Sequence, residues 1–310
     1  CVQVGDPAVT IAVLQLLERA LSCAPGHAIS EAEEIFGDIV ASELAVTNNL
    51  TTLLKRAIAC IGELQPGGTE FLCSVADFLL QRSPDERSSG LASRPAQSGA
   101  APLSDHMPTP TSAPTSLGAV HVLHAHVLGT LLATAEAKTR IDGVFSRFCD
   151  VGTGVVARAS AACCFGIVGR DAPALVEQTV KSYLVNFLVA ERSVEGSTAW
   201  PVSHPIVVDN VAVAVGRIFS NNIDALKQLL DGYSSSATSV SLERDAALIT
   251  VFTELLASAK SAEVQTHATY LSDRLQALVN ANKDGNLRKV AQALGRMVTV
   301  IPESMRALLC

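Results

Sequence analysis

Apolar residues along this 310-residue chain recur every three or four positions, which is the spacing of one face of an α-helix. Capping residues mark several predicted helix starts: Asp6 before Pro7, Ser30 with Glu33 as a capping box, and Asn49. Alternating, strand-like patterns are scarce. The pattern predicts helices at 7–24, 30–44, 49–64, 69–81, 117–135, 138–149, 154–169, 172–190, 206–220, 223–231, 241–258, 263–281, 286–300 and 302–309.

The helical pattern stops at one long segment, residues 83–116. This segment has six prolines among Ser, Thr, Ala and Gly, and almost no large apolar side chain. Such a composition cannot bury enough apolar surface to order the backbone. The sequence therefore predicts a disordered insert between two helical regions.

Four predicted helices share a local pattern around a glycine, at Gly62, Gly166, Gly216 and Gly295, and a weaker copy surrounds Gly129. Each of the four has a small residue two positions before the glycine, a large apolar residue directly before it and another apolar residue two positions after it. A glycine inside a helix costs about 1 kcal/mol relative to alanine, so its repetition needs a packing reason. Close approach of a neighbouring helix is that reason.

The repeat interval fits stacked helix pairs. Gly166 and Gly216 are 50 residues apart, and Gly62 lies about two such units before Gly166. A single helix pair cannot bury its apolar faces, whereas stacked pairs share a continuous core. We therefore predict an all-α fold, an α-solenoid of HEAT-type antiparallel helix pairs, with repeats at 1–82 and 117–310 on either side of the 83–116 insert. An irregular helical bundle is the alternative.

Composition and charge narrow the function classes. Apolar residues make up 48% of the chain and aromatic residues only 4%, which suits thin layers of Ala, Val and Leu helices. The net charge is −7, and the only adjacent basic pairs are Lys55-Arg56 and Arg288-Lys289. Nucleic-acid binding needs a basic stripe, so no nucleic-acid partner is expected. Residues 117–135 lack Asp, Glu, Lys and Arg, but their His and Thr residues favour a buried helix over membrane insertion.

The residues that could carry chemistry do not form a recognisable motif. His121 and His124 share a helical face, but His126 points elsewhere, and no CxxC or HExxH spacing occurs. We expect satisfied or partly exposed helix histidines and reduced, buried cysteines, including Cys163 and Cys164. No GxSxG, phosphate-loop or dinucleotide fingerprint is present. The sequence thus predicts neither an enzyme nor a metal or cofactor site.

Two segments carry a family resemblance. Residues 155–168 read Val-Val-Ala-Arg-Ala-Ser-Ala-Ala-Cys-Cys-Phe-Gly-Ile-Val, and residues 208–218 read Val-Asp-Asn-Val-Ala-Val-Ala-Val-Gly-Arg-Ile. They resemble consecutive C-terminal HEAT repeats of importin-β family nuclear transport receptors. Residues 241–255 and 287–309, the latter with Ile301-Pro302-Glu303, are similar to the branch that imports ribosomal proteins and histones. The resemblance covers roughly residues 150 to 310 and is carried by packing residues.

The resemblance implies a carrier found in cytoplasm, nucleus and nuclear pore. Its expected partners are basic cargo proteins, Phe-Gly nucleoporins and Ran-GTP, the last mainly through repeats upstream of this chain. An acidic concave face suits reversible capture of Lys/Arg-rich signals. The candidate cargo-binding residues, at or near inner-helix ends, are Asp209, Asn210, Asp224, Asp231, Asp245 and Glu254.

Simpler interpretations of these residues remain open. Each carboxylate could belong to a solvated helix face, and Asn210 could bond neighbouring backbone. At the level of function, the alternative is a HEAT scaffold that holds a multiprotein complex together, such as a phosphatase, kinase or ribosome-assembly platform.

Overall fold

A computed structural model describes residues 6–23, 32, 34–40, 47–64, 67–81, 119–150, 153–189, 204–234, 242–281 and 295. Every regular element within these residues is helical. The predicted insert at 83–116 and the predicted helices at 286–300 and 302–309 lie outside the described residues, apart from Gly295, so the domain boundaries stay a prediction.

The helices follow the predicted order closely. Residues 34–40 are helical as well, and a short 3₁₀ turn spans Pro173–Leu175. The α-helices are α1 (Pro7–Cys23), α2 (Asn48–Gly62), α3 (Gly68–Gln81), α4 (Ala119–Thr134), α5 (Lys138–Cys149), α6 (Val155–Asp171), α7 (Gln178–Val189), α8 (Pro205–Ile218), α9 (Ile223–Ser234), α10 (Leu242–Ser258), α11 (Ser261–Thr266) and α12 (Ala268–Ala281).

Two predicted helix starts have different outcomes. Asp6 caps α1 as predicted, because its Oδ1 accepts a hydrogen bond from the Ala8 backbone N–H at 2.8 Å. The prediction of Asn49 as the cap of α2 was wrong. Thr47 is the cap: its backbone is extended and its hydroxyl accepts from the Leu50 N–H at 3.2 Å. Both residue types satisfy a free N–H at a helix start, so composition alone does not separate them.

Two predicted helices are each divided in the structure. The prediction at 172–190 becomes the 3₁₀ turn and α7, because Ala172 leaves the helical region (φ −141°, ψ 67°) and Pro173 begins the tighter turn. The prediction at 263–281 becomes α11 and α12, with a break at His267. Apolar periodicity continues through both breaks, which is why the sequence pattern missed them.

The helices form two rows. Row one consists of α2, α4, α6, α8 and α10, each packed on the next. Row two consists of α3, α5, α7, α9 and α12, whose members meet one another and the flanking helices of row one. This arrangement confirms the predicted all-α solenoid of helix pairs.

Glycines lie at the contacts between successive row-one helices. A methyl group at Gly129 of α4 would lie 2.8 Å from Ile167 Cβ of α6, and one at Gly216 of α8 would lie 2.5 Å from the Val251 carbonyl oxygen of α10. Gly62 meets α4 and Gly166 meets α8 in the same way, at 3.2 and 3.1 Å. A Cβ at Gly129 or Gly216 would force the neighbouring helix to shift, and one at Gly62 or Gly166 would make an unusually tight contact, so the predicted packing reason is confirmed at Gly62, Gly166 and Gly216 and also at the weaker copy, Gly129.

The same contacts fix the direction of the row. Gly166 and Gly169 of α6 face Ala214 and Ile218 of α8 in that order, so the two helices run parallel. Parallel neighbours within a row are what stacked antiparallel pairs produce. Gly295 departs from the pattern: it is exposed, and a methyl group there would meet no described residue within 4 Å.

Row two is joined by larger side chains. Edge-to-face ring contacts link α5 to α7, with Phe145 and Tyr183 centroids 5.3 Å apart and Phe148 and Phe187 centroids 5.6 Å apart. Arg140 of α5 donates two hydrogen bonds of 2.8 Å to the Asp77 carboxylate of α3. Small residues thus make the closest contacts of row one, whereas rings and an ion pair join row two.

Candidate functional site

Four of the six sequence-predicted site residues lie in row one. Asp209 and Asn210 are partly exposed on α8, while Asp245 and Glu254 are on α10. Asp245 is only 5% exposed and is therefore poorly placed to meet a partner. Glu254 is more accessible, and its Oε2 accepts a hydrogen bond from Arg217 Nε at 3.3 Å.

The other two predicted residues lie in row two, on α9. Asp231 forms an ion pair with Arg274 of α12, and Asp224 Oδ1 lies 3.7 Å from His267 Nδ1. Asp224 is the most exposed of the six, with 68% of its side chain accessible. The structure therefore divides the predicted acidic residues between two rows instead of bringing them to one surface.

Asn210 has a local structural role. Its Nδ2 donates a hydrogen bond of 2.9 Å to the Ile206 carbonyl oxygen, one turn earlier in α8. This is the bond to neighbouring backbone that the sequence left open as the simpler interpretation.

Row one also carries a charged surface formed by Lys55, Arg170, Asp171, Arg217 and Glu254, of which sequence reasoning named only Glu254; we call it the charged face. Lys55 Nζ of α2 lies 2.7 Å from Asp171 Oδ2 of α6, and Arg170 Nε donates to Asp171 Oδ1 at 2.9 Å. Burial raises the pKa of Asp171, but the hydrogen bonds from Arg170 and Lys55 outweigh it and hold that pKa below its usual value. Asp171 is therefore a stable carboxylate between two cations.

A local signal for the charged face was present in the sequence. Arg170 and Arg217 each follow a glycine of a row-one helix, in Gly169-Arg170 and Gly216-Arg217. Each arginine lies in the last turn of its helix, where a cation is favoured by the helix dipole. The residue directly after the glycine thus distinguishes these helices from α2, where Glu63 takes that place.

The α4 histidines differ from the expectation of satisfied side chains. His124 Nε2 lies 3.0 Å from the Leu79 carbonyl oxygen, but its Nδ1 and that of His121 are buried without a hydrogen-bond partner among the described residues. His126 lies partly buried on the opposite side of α4, near the charged face.

The cysteines of α6 have the chemistry of buried side chains. Burial raises the pKa of the Cys163 and Cys164 thiols, so both stay protonated and poorly nucleophilic. The six cysteines within the described residues are all free thiols. In that same part of the chain, no group of three or more His, Cys, Asp or Glu side chains is arranged to hold a metal ion.

A groove of about 430 Å³ lies between α1 and α2. Glu18 and Arg56, which form an ion pair, both line it. Its lining residues are Gln15, Glu18, Arg19, Cys23, Leu53 and Arg56.

Compared with known proteins, the chain matches no family model, no curated protein and no solved structure. The class is therefore defined by the fold alone, an all-α array of stacked helix pairs. Among the described helices, none is long and apolar enough to cross a membrane.

Proposed function

We propose that the chain is the C-terminal part of an importin-β-like nuclear transport receptor that binds basic cargo for import through the nuclear pore. The observation that carries this proposal is the parallel row of helices in contact at Gly62, Gly129, Gly166 and Gly216. A row of this kind presents a long, continuous surface suited to extended protein partners. The other proposed partners are Phe-Gly nucleoporins and Ran-GTP, the latter bound mainly through repeats upstream of this chain.

Row one is the proposed cargo-binding side. The distance between two helix axes depends on the size of the side chains between them. Row-one helices meet at glycines and row-two helices meet at aromatic rings, so we expect shorter axis-to-axis distances in row one. The more closely spaced row lies on the inner side of a curved array. Asp209, on this side, is the carboxylate that we assign to basic cargo.

We expect Asp209→Asn to weaken binding of a Lys/Arg-rich peptide by about 2- to 5-fold, the range of one exposed charge pair. Asp224→Asn, which removes the same charge from row two, is the matched control and should leave the dissociation constant unchanged. Fluorescence anisotropy of a labelled basic peptide at low ionic strength measures both. Equal effects of the two variants, or no binding by the native chain, would contradict the proposed cargo surface.

A static scaffold is the second candidate, and one observation favours it. Asp171 and Glu254 of the charged face are already bonded to cations of the same array, which leaves less free negative charge for basic cargo. A scaffold would bind its partner without binding Phe-Gly peptides. Binding of a Phe-Gly repeat peptide, and its loss when the peptide's Phe is replaced by Ser, therefore supports the receptor over the scaffold.

A further inference from the structure

Helix α4 connects the first helices of the array to the rest. It packs on α2 and α3 on one side and on α6 on the other, and it has three histidines within six residues: His121, His124 and His126. The remaining links across this position include the Lys55–Asp171 and Arg140–Asp77 ion pairs. Any change that loosens α4 therefore weakens the connection between the two ends of the array.

The surroundings of His124 disfavour its charged form. Because the Leu79 carbonyl oxygen only accepts, the Nε2 that lies 3.0 Å from it carries the ring proton. A second proton has to bind Nδ1, which is buried and has no acceptor among the described residues. The Arg147 guanidinium of α5 adds a repulsive charge, and it is itself fixed by a 2.6 Å hydrogen bond to the Leu80 carbonyl oxygen.

His121 lies one turn earlier on the same face of α4 and is only 2% exposed. Its Nδ1 is likewise buried without a partner in the described part of the chain. The Ser160 hydroxyl of α6 donates a hydrogen bond of 3.5 Å to the His121 backbone oxygen and not to the ring. Nδ1 of each of these two adjacent imidazoles thus has no acceptor among the described residues, and the Leu79 carbonyl oxygen at His124 Nε2 is one contact that favours a charged ring.

His126 faces the opposite side, toward the charged face. Repulsion comes from Lys55 of α2, Arg170 of α6 and Arg217 of α8. Asp171 of α6 is the carboxylate that acts on this ring, and it is already bonded to Lys55 and Arg170. A charged His126 would therefore add to an existing cluster of cations.

We propose that α4 is an acid-sensitive joint: protonation of His121, His124 and His126 separates α4 from α3 and α6 and opens the array at this position. Nδ1 of His121 and Nδ1 of His124 need solvent before they can hold a second proton, whereas the partly exposed His126 would gain its charge beside three cations.

The direction of the pH dependence follows from the pKa values. Burial lowers the pKa of His121, His124 and His126 below the ordinary value of about 6.5, to about 4 for His126. The opened state takes up protons as pH falls through 6.5, whereas the closed state does not. Stability of the joint is therefore complete above pH 6.5 and is lost as pH falls toward the lower pKa values of the closed array.

Hydrogen exchange at the α4 amides tests the proposal in the intact chain. Each proton taken up on opening raises the opening constant about 5-fold between pH 6.5 and 5.5, and the factors of two or three protons multiply, so this drop in pH should reduce α4 protection on the order of 10- to 100-fold, after correction for intrinsic exchange. Amides of α10, where no His lies within the helix, should lose much less protection. Equal loss of amide protection in α4 and α10, or no loss in α4, would overturn the proposal that α4 is an acid-sensitive joint.

A double variant tests whether the histidine rings of α4 cause the pH dependence of its hydrogen exchange. His124→Gln keeps a donor for the Leu79 carbonyl oxygen and cannot be protonated, and we combine it with His121→Asn. The double variant should show a flatter pH dependence of α4 exchange, whereas the control His267→Gln, at the α11–α12 break, should keep the native profile. An unchanged α4 profile in the double variant would contradict the assignment, and the α4–α10 comparison in the native chain decides the question if this variant does not fold.

Discussion

Replacing Gly216 by Leu is expected to lower the free energy of unfolding by about 3 kcal/mol, the upper part of the range for overpacked cores. Even a Cβ at this position would lie 2.5 Å from the Val251 carbonyl oxygen, 2.8 Å from Glu254 Cβ and 3.0 Å from the Leu255 nitrogen. Two of these atoms belong to the α10 backbone and cannot rotate away. The α8–α10 contact must therefore separate to accept the side chain, and urea denaturation measures the cost.

Gly143 supplies the matched control for this experiment. It also lies inside a helix, α5, but it is exposed, and a Cβ there would meet nothing within 4 Å in the part of the chain that the structure describes. Gly143→Leu should raise stability by about 0.5–1 kcal/mol, because a side chain favours the helix over the unfolded chain. If Gly216→Leu were as stable as Gly143→Leu, helices α8 and α10 would not be in close contact.

Replacing Phe148 by Ala is expected to cost about 3–5 kcal/mol, the range for a fully buried aromatic side chain. Phe148 has no exposed surface, and its ring lies within 6.4 Å of the Phe165, Tyr183 and Phe187 ring centroids, which belong to α6 and α7. The Arg158 guanidinium also lies 5.5 Å from its centre. Its removal leaves a cavity where three helices meet.

Phe145 is the control for this second prediction. It contacts Phe165 and Tyr183 from the same helix but is partly exposed, so solvent can fill part of the space left by Phe145→Ala. We expect less than half the loss measured for Phe148→Ala. Equal losses in calorimetric or denaturant unfolding would show that the two rings are equally buried, against the described packing.

The repeated glycines show how much of the helix packing could be predicted from the sequence. A glycine in a helix interior has a known cost, so Gly62, Gly166 and Gly216 predicted close helix contacts, and the structure places each at such a contact. Gly129 was the weaker copy in sequence, yet it has a closer contact than Gly166. The contact depends on which neighbour faces the glycine, and the local pattern does not contain that neighbour.

The candidate site was harder to predict for the same reason. The sequence supplies carboxylates at helix ends, but the cations that pair with them come from distant positions. Lys55 reaches Asp171 across 116 residues, and Arg217 reaches Glu254 across 37. Asp245 and Glu254 lie on one helix and differ in burial only because of the helices around them. Local pattern thus identifies the elements, and the packing decides which charges are available.

The central claim is that row one is an extended stack, and one distance tests it directly. Spin labels at the exposed residues Ala59 of α2 and Ala257 of α10, attached through an unnatural amino acid that leaves the native cysteines intact, span four helix-to-helix steps. At about 8–10 Å per step, double electron–electron resonance should give a distance of about 30–40 Å. A distance of about 20 Å or less would place α2 and α10 side by side in a compact bundle and would contradict the account.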